Sequence, residues 1–160
     1  MNSIFESENI FFVRASEELV PDYLIMVNDI ERVARFIGDR QEPFTAAQEK
    51  AWVRQKLAEE AVLFSMLERN GGAFIGNIEL MDIADGAGEL GIAITAAMQE
   101  KGYGTEAILA MLKYGWDSLG LKRIFLKAFP FNVRAIHVYE KCGFREYART
   151  EKDVFMEIVK

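Results

Sequence analysis

The run Gln99-Glu100-Lys101-Gly102-Tyr103-Gly104-Thr105-Glu106-Ala107 leaves one apolar segment and enters another with helical spacing. The chemistry open to such a run is anion binding. Its glycines let the backbone approach a ligand where a Cβ would block it, and the helix start adds unpaired N–H groups and the positive end of a dipole. A pyrophosphate suits this loop, although a plain glycine connection would read the same over so few residues. Gly102 to Ala107 formally fits the dinucleotide fingerprint G-x-G-x-x-G/A, but that fingerprint wants its glycines directly after a strand and an acidic residue about twenty positions on. Here Thr95 to Lys101 intervene and the next strand ends in Ala128-Phe129-Pro130, so the context argues against an NAD enzyme. No G-x-x-x-x-G-K-[ST] phosphate loop occurs either.

A second segment, Asn132 to Phe144, reads as an amphipathic helix stopped by Gly143. It carries the only histidine and the only cysteine of the chain. His137 shares one helical stripe with Arg134 and Lys141, which makes it an exposed residue rather than a base. Cys142 has no identifiable histidine partner, so packing is a better role for it than nucleophilic attack.

The elements that must position these segments follow from periodicity and turn residues. A strand over Ile10 to Arg14 leads into a helical region from Glu17 to Phe36, interrupted near Asn28. Thr45 with Gln48 is a capping box that opens a helix to about Glu59. Ala61 to Arg69 and Ala73 to Asp82 flank Asn70-Gly71-Gly72 as a hairpin, and Asp85 to Gly88 turns the chain into a strand over Glu89 to Ile94. A helix from Gly104 to about Leu119, with Gly120 as its stop, is followed by a strand over Arg123 to Ala128 and a helix over Val133 to Cys142. Phe144 to Arg149 and Val154 to Val159 read as the last strands. The sum is a mixed α/β domain: antiparallel strands first, then a parallel pair joined through a helical crossover.

The 160 residues, 51% hydrophobic, suffice for one globular domain over 1–160. No apolar run approaches the ~20 residues of a membrane span. Glu6 and Glu8 near the start do not fit a secretory signal, and one cysteine allows no internal disulfide, so the expected location is cytoplasmic. A net charge of -6 argues against nucleic-acid binding. The acid excess lies in residues 1–80, with 8 basic and 14 acidic residues, while residues 81–160 are balanced at 11 each. That asymmetry points to a cationic ligand for the first half, or simply to solubility.

Taken together, the strand Glu-Leu-Gly-Ile-Ala-Ile, the Q-x-x-G-x-G loop and N-x-x-A-I-x-x-Y-E-K-x-G-F resemble the GNAT superfamily of acetyl-coenzyme A dependent N-acetyltransferases. The Thr45 helix with Trp52, Gly76-Asn77-Ile78 and the phrase GYGTEA look like the branch that includes the RimJ/RimL-type enzymes. That branch usually has Ser three positions after the Asn, where this chain has Ala135, and the tail is similar to that of bacterial polyamine acetyltransferases. Ribosomal-protein acetylation is therefore not carried over. The resemblance implies an α/β (α+β) GNAT fold: a central mixed, mostly antiparallel twisted sheet of about seven strands with a splayed parallel pair, flanked by about four helices.

It also implies roles. The splay between the Glu89 and Arg123 strands would take the pantetheine arm of acetyl-CoA, with N–H groups of Ile92, Ala93 and Ile94 along it. Gln99, Lys101, Gly102, Tyr103, Gly104 and Thr105 would hold the pyrophosphate, Asn132 the arm, and Arg134 either a phosphate or solvent. Tyr139 matches the tyrosine that faces the sulfur and is the candidate general acid; Glu89, then Glu79, are the candidate bases. Trp52, Phe36 and Phe44 are candidates for the acceptor pocket, or for core contacts. The expected partner is a small amine, polyamine-like or other, or a peptide N-terminus, with neither nucleic acid, membrane nor metal; a homodimer through Val154 to Val159 fits the resemblance. The competing reading is a CoA-binding sensor or interaction module without turnover.

Overall fold

The computed structural model describes residues 1–38 and 42–160. Among these, eight strands form one sheet: β1 Ser3–Glu6, β2 Ile10–Arg14, β3 Val62–Glu68, β4 Phe74–Ala84, β5 Ala87–Ile94, β6 Arg123–Ala128, β7 Arg145–Arg149 and β8 Val154–Val159. Their order is β1-β2-β3-β4-β5-β6-β8-β7, and every neighbouring pair is antiparallel except β5 with β6. The helices are α1 Val20–Val27, α2 Arg35–Ile37, α3 Ala46–Ala58, α4 Tyr103–Asp117 and α5 Val133–Lys141. One strand more than expected is present. β1 escaped the sequence reading because its four residues, Ser-Ile-Phe-Glu, are too few to show alternation, and they lie at an edge that is mostly exposed.

Local chemistry sets the element ends. Thr45 and Gln48 form the expected capping box, with Gln48 N–H donating to Thr45 Oγ1 at 3.2 Å and Thr45 N–H to Gln48 Oε1 at 2.8 Å. The helical region breaks where expected, at Asn28, whose side chain accepts from Phe44 N–H and donates to Phe44 C=O. Beyond it the chain does not resume a plain α-helix. Ile30–Ala34 is a π-helical turn, with Ala34 N–H donating to Asp29 C=O, and it passes directly into α2. The β4–β5 hairpin closes on Asp85 and Gly86 alone, both at positive φ, so β5 starts two residues earlier than the sequence implied. Helix α4 stops at Asp117, two residues before the expected end.

Alternation divides the sheet into two faces. Ile78, Leu80, Leu90, Ile124, Leu126 and Met156 point to one side, where Ile108 and Met111 of α4 cover them. Val13 and Leu63 point to the other, under Tyr23 and Met26 of α1 and Val53 of α3. The second face also holds a buried polar chain: Ser16 N–H donates to the Tyr23 hydroxyl, which bonds Ser65 Oγ at 2.5 Å, and Ser65 Oγ donates to Asn77 Oδ1 at 2.8 Å.

β4 comes close to β5 at Gly76, where a Cβ would stand 2.0 Å from the Ala93 carbonyl oxygen. Only glycine tolerates that approach. Gly76→Ala is expected to force the strands apart at a cost of about 2 kcal/mol, lowering Tm by about 4–8 °C in thermal denaturation.

Candidate functional site

The site begins where β5 and β6 part. They pair at Ala87 with Arg123, Gly88 with Ile124 and Glu89 with Phe125, and pairing stops there, although β5 runs on to Ile94 and β6 to Ala128. Two strand edges therefore face each other across a wedge. Thr95 N–H donates to Ile75 C=O, and backbone groups alternate sides along a strand, so Ala93 bonds into the β4 ladder while Ile92 and Ile94 turn theirs to the wedge. Of the three expected amides, Ile92 and Ile94 fit an acyl-arm donor and Ala93 does not; its side chain faces the α1 and α3 side.

A cavity of about 410 Å³ fills the wedge, within the usual range for small-molecule sites of roughly 300–1,000 Å³. Glu89, Ile92, Ile94, Gln99, Gly102, Gly104, Thr105, Asn132, Arg134 and Tyr139 line it together. The glycine loop forms one end. Glu100 and Gly102 both have positive φ, 61° and 87°, and Gly102 caps α4, whose first turn borders the cavity at Gly104 and Thr105. Lys101 is exposed and outside the lining. The Tyr103 side chain turns away, donating its hydroxyl hydrogen bond to Glu68 Oε2 on β3, so only its backbone remains available at the loop.

Gln99 and Arg134 are already engaged. Gln99 Nε2 donates to the carbonyls of Arg32 and Ile94, each at 3.0 Å, and Gln99 Oε1 accepts from Arg134 Nη2 at 2.7 Å. Arg134 Nη1 also pairs with Glu100 Oε1 at 3.1 Å. These two residues clamp the π turn, the end of β5, the glycine loop and α5 into one unit at the edge of the cavity. Asn132 caps α5 by accepting from Ala135 N–H at 3.4 Å.

Tyr139 is fixed from behind. The α5 terminus is a Schellman turn in which Phe144 N–H donates to Tyr139 C=O and Gly143 N–H to Glu140 C=O, and the Phe144 ring meets the Tyr139 ring edge-on at 6.0 Å. Burial pushes the Tyr139 phenol up to about 12, so it stays protonated near neutral pH. Among the described residues its hydroxyl makes no hydrogen bond, yet no fully buried side-chain oxygen or nitrogen lacks a partner. The hydroxyl must therefore open to the cavity.

Glu89 lies at the closed end of the wedge. Its carboxyl is pushed above the ordinary 4.5, by burial first, while Lys127 pulls it down and Asp82 and Glu79 push it up. Glu79 is outside the lining and is paired with Lys56 at 3.2 Å, both side chains about three-quarters covered. A carboxylate engaged in this way is the weaker candidate base.

His137 is exposed and Cys142 is buried beneath α4, its thiol pushed up by burial. Phe36 lines the cavity. Trp52 instead packs edge-on against Tyr23 at 6.0 Å, and Phe44 lies outside the lining. Four charged lining residues were not among the candidate site residues: Arg32, Glu100, Lys127 and Asp153. Strand alternation from Phe125 could have found Lys127. The lining cations are Arg32, Lys127 and Arg134 and the lining acids Glu89, Glu100 and Asp153, so among the described residues Arg32 is the one charged side chain that the acidic first half contributes. No cluster of metal-binding side chains, and no helix long and apolar enough to cross a membrane, occurs among the described residues.

Comparison with known proteins gives the same architecture a lineage. The uncharacterized N-acetyltransferase YnaD of Bacillus subtilis is 31% identical over 103 residues, covering 64% of this chain and 61% of that protein. The spermidine N(1)-acetyltransferase of Vibrio cholerae is 33% identical over 84 residues, 51% of this chain and 49% of its own length. The matched segments thus span about half to three-fifths of these relatives. A GNAT-family acetyltransferase structure from Bacillus anthracis superposes with a TM-score of 0.84 at 20% identity, covering 96% of each chain. The Vibrio cholerae spermidine N-acetyltransferase in complex with CoA and spermine gives 0.77 at 20% identity, again over 96% of each. With the acetyltransferase (GNAT) domain model matching residues 9–145, the chain belongs to the GNAT acetyltransferase family.

Proposed function

We propose that this protein transfers the acetyl group of acetyl-CoA directly to the primary amine of a small molecule or a peptide N-terminus. The observation that carries this reading is the wedge itself: open strand amides, a glycine-loop helix start, a protonated tyrosine and a carboxylate of raised pKa all border one cavity. Names among the relatives, spermidine N(1)-acetyltransferase in particular, support an amine acceptor.

In this reading the amine nitrogen attacks the thioester carbonyl carbon, a C–N bond forms and the C–S bond breaks. Glu89, directly or through a water, takes the proton that the ammonium must lose before attack. The Ile92 and Ile94 amides stabilise charge on the carbonyl oxygen, and Tyr139 gives its proton to the departing sulfur. The thiolate leaves into the same surroundings that raise the Tyr139 phenol, so its own proton affinity rises along with that of the phenol.

A thiol-release assay with acetyl-CoA tests this against polyamines, amino acids and short peptides. Acetyl-CoA-dependent thiol release with an amine is the expected result. Silence across the panel, with acetyl-CoA still raising Tm, would overturn turnover in favour of a CoA-binding module.

A further inference from the structure

Three charged side chains of alternating sign, Glu89, Lys127 and Asp153, line the cavity. The Glu89–Phe125 register puts both side chains on the same face, and Lys127 follows Phe125 by two. Lys127 is opposite Phe155 in the β6–β8 ladder, and Asp153 stands in the turn just before β8 begins at Val154. Lys127 acts on Glu89 through its charge, yet among the described residues it is in no ion pair, unlike Arg134 with Glu100 or Lys56 with Glu79. An ammonium placed at Glu89 for deprotonation therefore lies near the exposed Lys127 cation, which no close ion pair among the described residues holds.

Building on the transferase reading above, we infer that Lys127 selects acceptors carrying an anionic group next to the reacting amine, as in an amino carboxylate or an aminoalkyl phosphate. The anion neutralises Lys127 where a polyamine would set a second cation against it.

The test compares kcat/KM for matched acceptors: amino acids against their carboxamides, aminoethyl phosphate against ethanolamine, and spermidine. Wild-type protein and the Lys127→Met and Lys127→Glu variants are measured alike, with Tm confirming folding. Within each matched pair the anion preference is compared between proteins, so a change in Glu89 basicity affects both members and cancels. Wild type is expected to favour the anionic member, Lys127→Met to reduce that preference roughly tenfold, and Lys127→Glu to reverse it. Preference for the carboxylate or the phosphate pair then names the anion. Acetylation of spermidine ahead of every anionic acceptor, or a preference unchanged by either substitution, overturns the role of Lys127 and leaves the transferase intact. Turnover of no amine at all overturns both.

Discussion

Tyr139→Phe is expected to lower kcat by about 100-fold or more, the usual worth of a positioned general acid, while leaving the Kd for acetyl-CoA and the Tm nearly unchanged. The separation follows from how Tyr139 is held. Its ring and backbone belong to the fold: Phe144 packs edge-on against it and the α5 terminus bonds its carbonyl. Phenylalanine keeps all of that. Only the hydroxyl is lost, and among the described residues it has no partner whose removal would leave a group stranded. A structural tyrosine would show the reverse pattern, with a lower Tm and unchanged turnover. Because the phenol is pushed up to about 12, no loss of rate through Tyr139 ionisation is expected as pH rises through the range from 7 to 10. A pH profile of the wild type and calorimetric binding of acetyl-CoA to the variant check both parts. Full turnover in Tyr139→Phe would remove Tyr139 from the chemistry.

What could be read in advance was whatever depends on residues near one another in the chain. The glycine loop, the capping box at Thr45 and the break at Asn28 each rest on a few adjacent side chains, and each lies where the sequence put it. The parallel strand pair was legible from the crossover helix, and its splay entered through family resemblance. The residues at which pairing ends are not written locally, because they depend on how β6 is held between β5 and β8. Long-range charge is the least legible. Gln99, read as a phosphate ligand, and Arg134, read as facing a phosphate or solvent, stand thirty-odd positions apart in sequence, and folding joins them to each other and to Glu100. Asp153 reaches the cavity only because β8 returns antiparallel along β6, and among the described residues none of the N-terminal acids that suggested a cationic acceptor lines it.

Glu89→Gln is expected to reduce kcat/KM by about 100-fold and to flatten the acidic limb of its pH profile. The sign follows from what a base must do: Glu89 works only when deprotonated, so wild-type activity rises with pH through its pKa, and burial places that midpoint above 4.5. The neighbours supply an internal control. Lys127 lowers the Glu89 pKa, so Lys127→Met shifts the limb to higher pH; Asp82 raises it, so Asp82→Asn shifts the limb to lower pH. Opposite movements from two residues that flank one carboxylate would identify Glu89 as the titrating group, because an ammonium acceptor losing its own proton in solution responds to neither. Glu79→Gln separates the two candidate bases. It leaves Lys56 without its partner in a mostly covered position, so it is expected to lower Tm while changing kcat/KM by only a few-fold. If instead Glu79→Gln abolished turnover and Glu89→Gln did not, the proton would leave along β4, and the closed end of the wedge would serve to bind the acceptor without activating it.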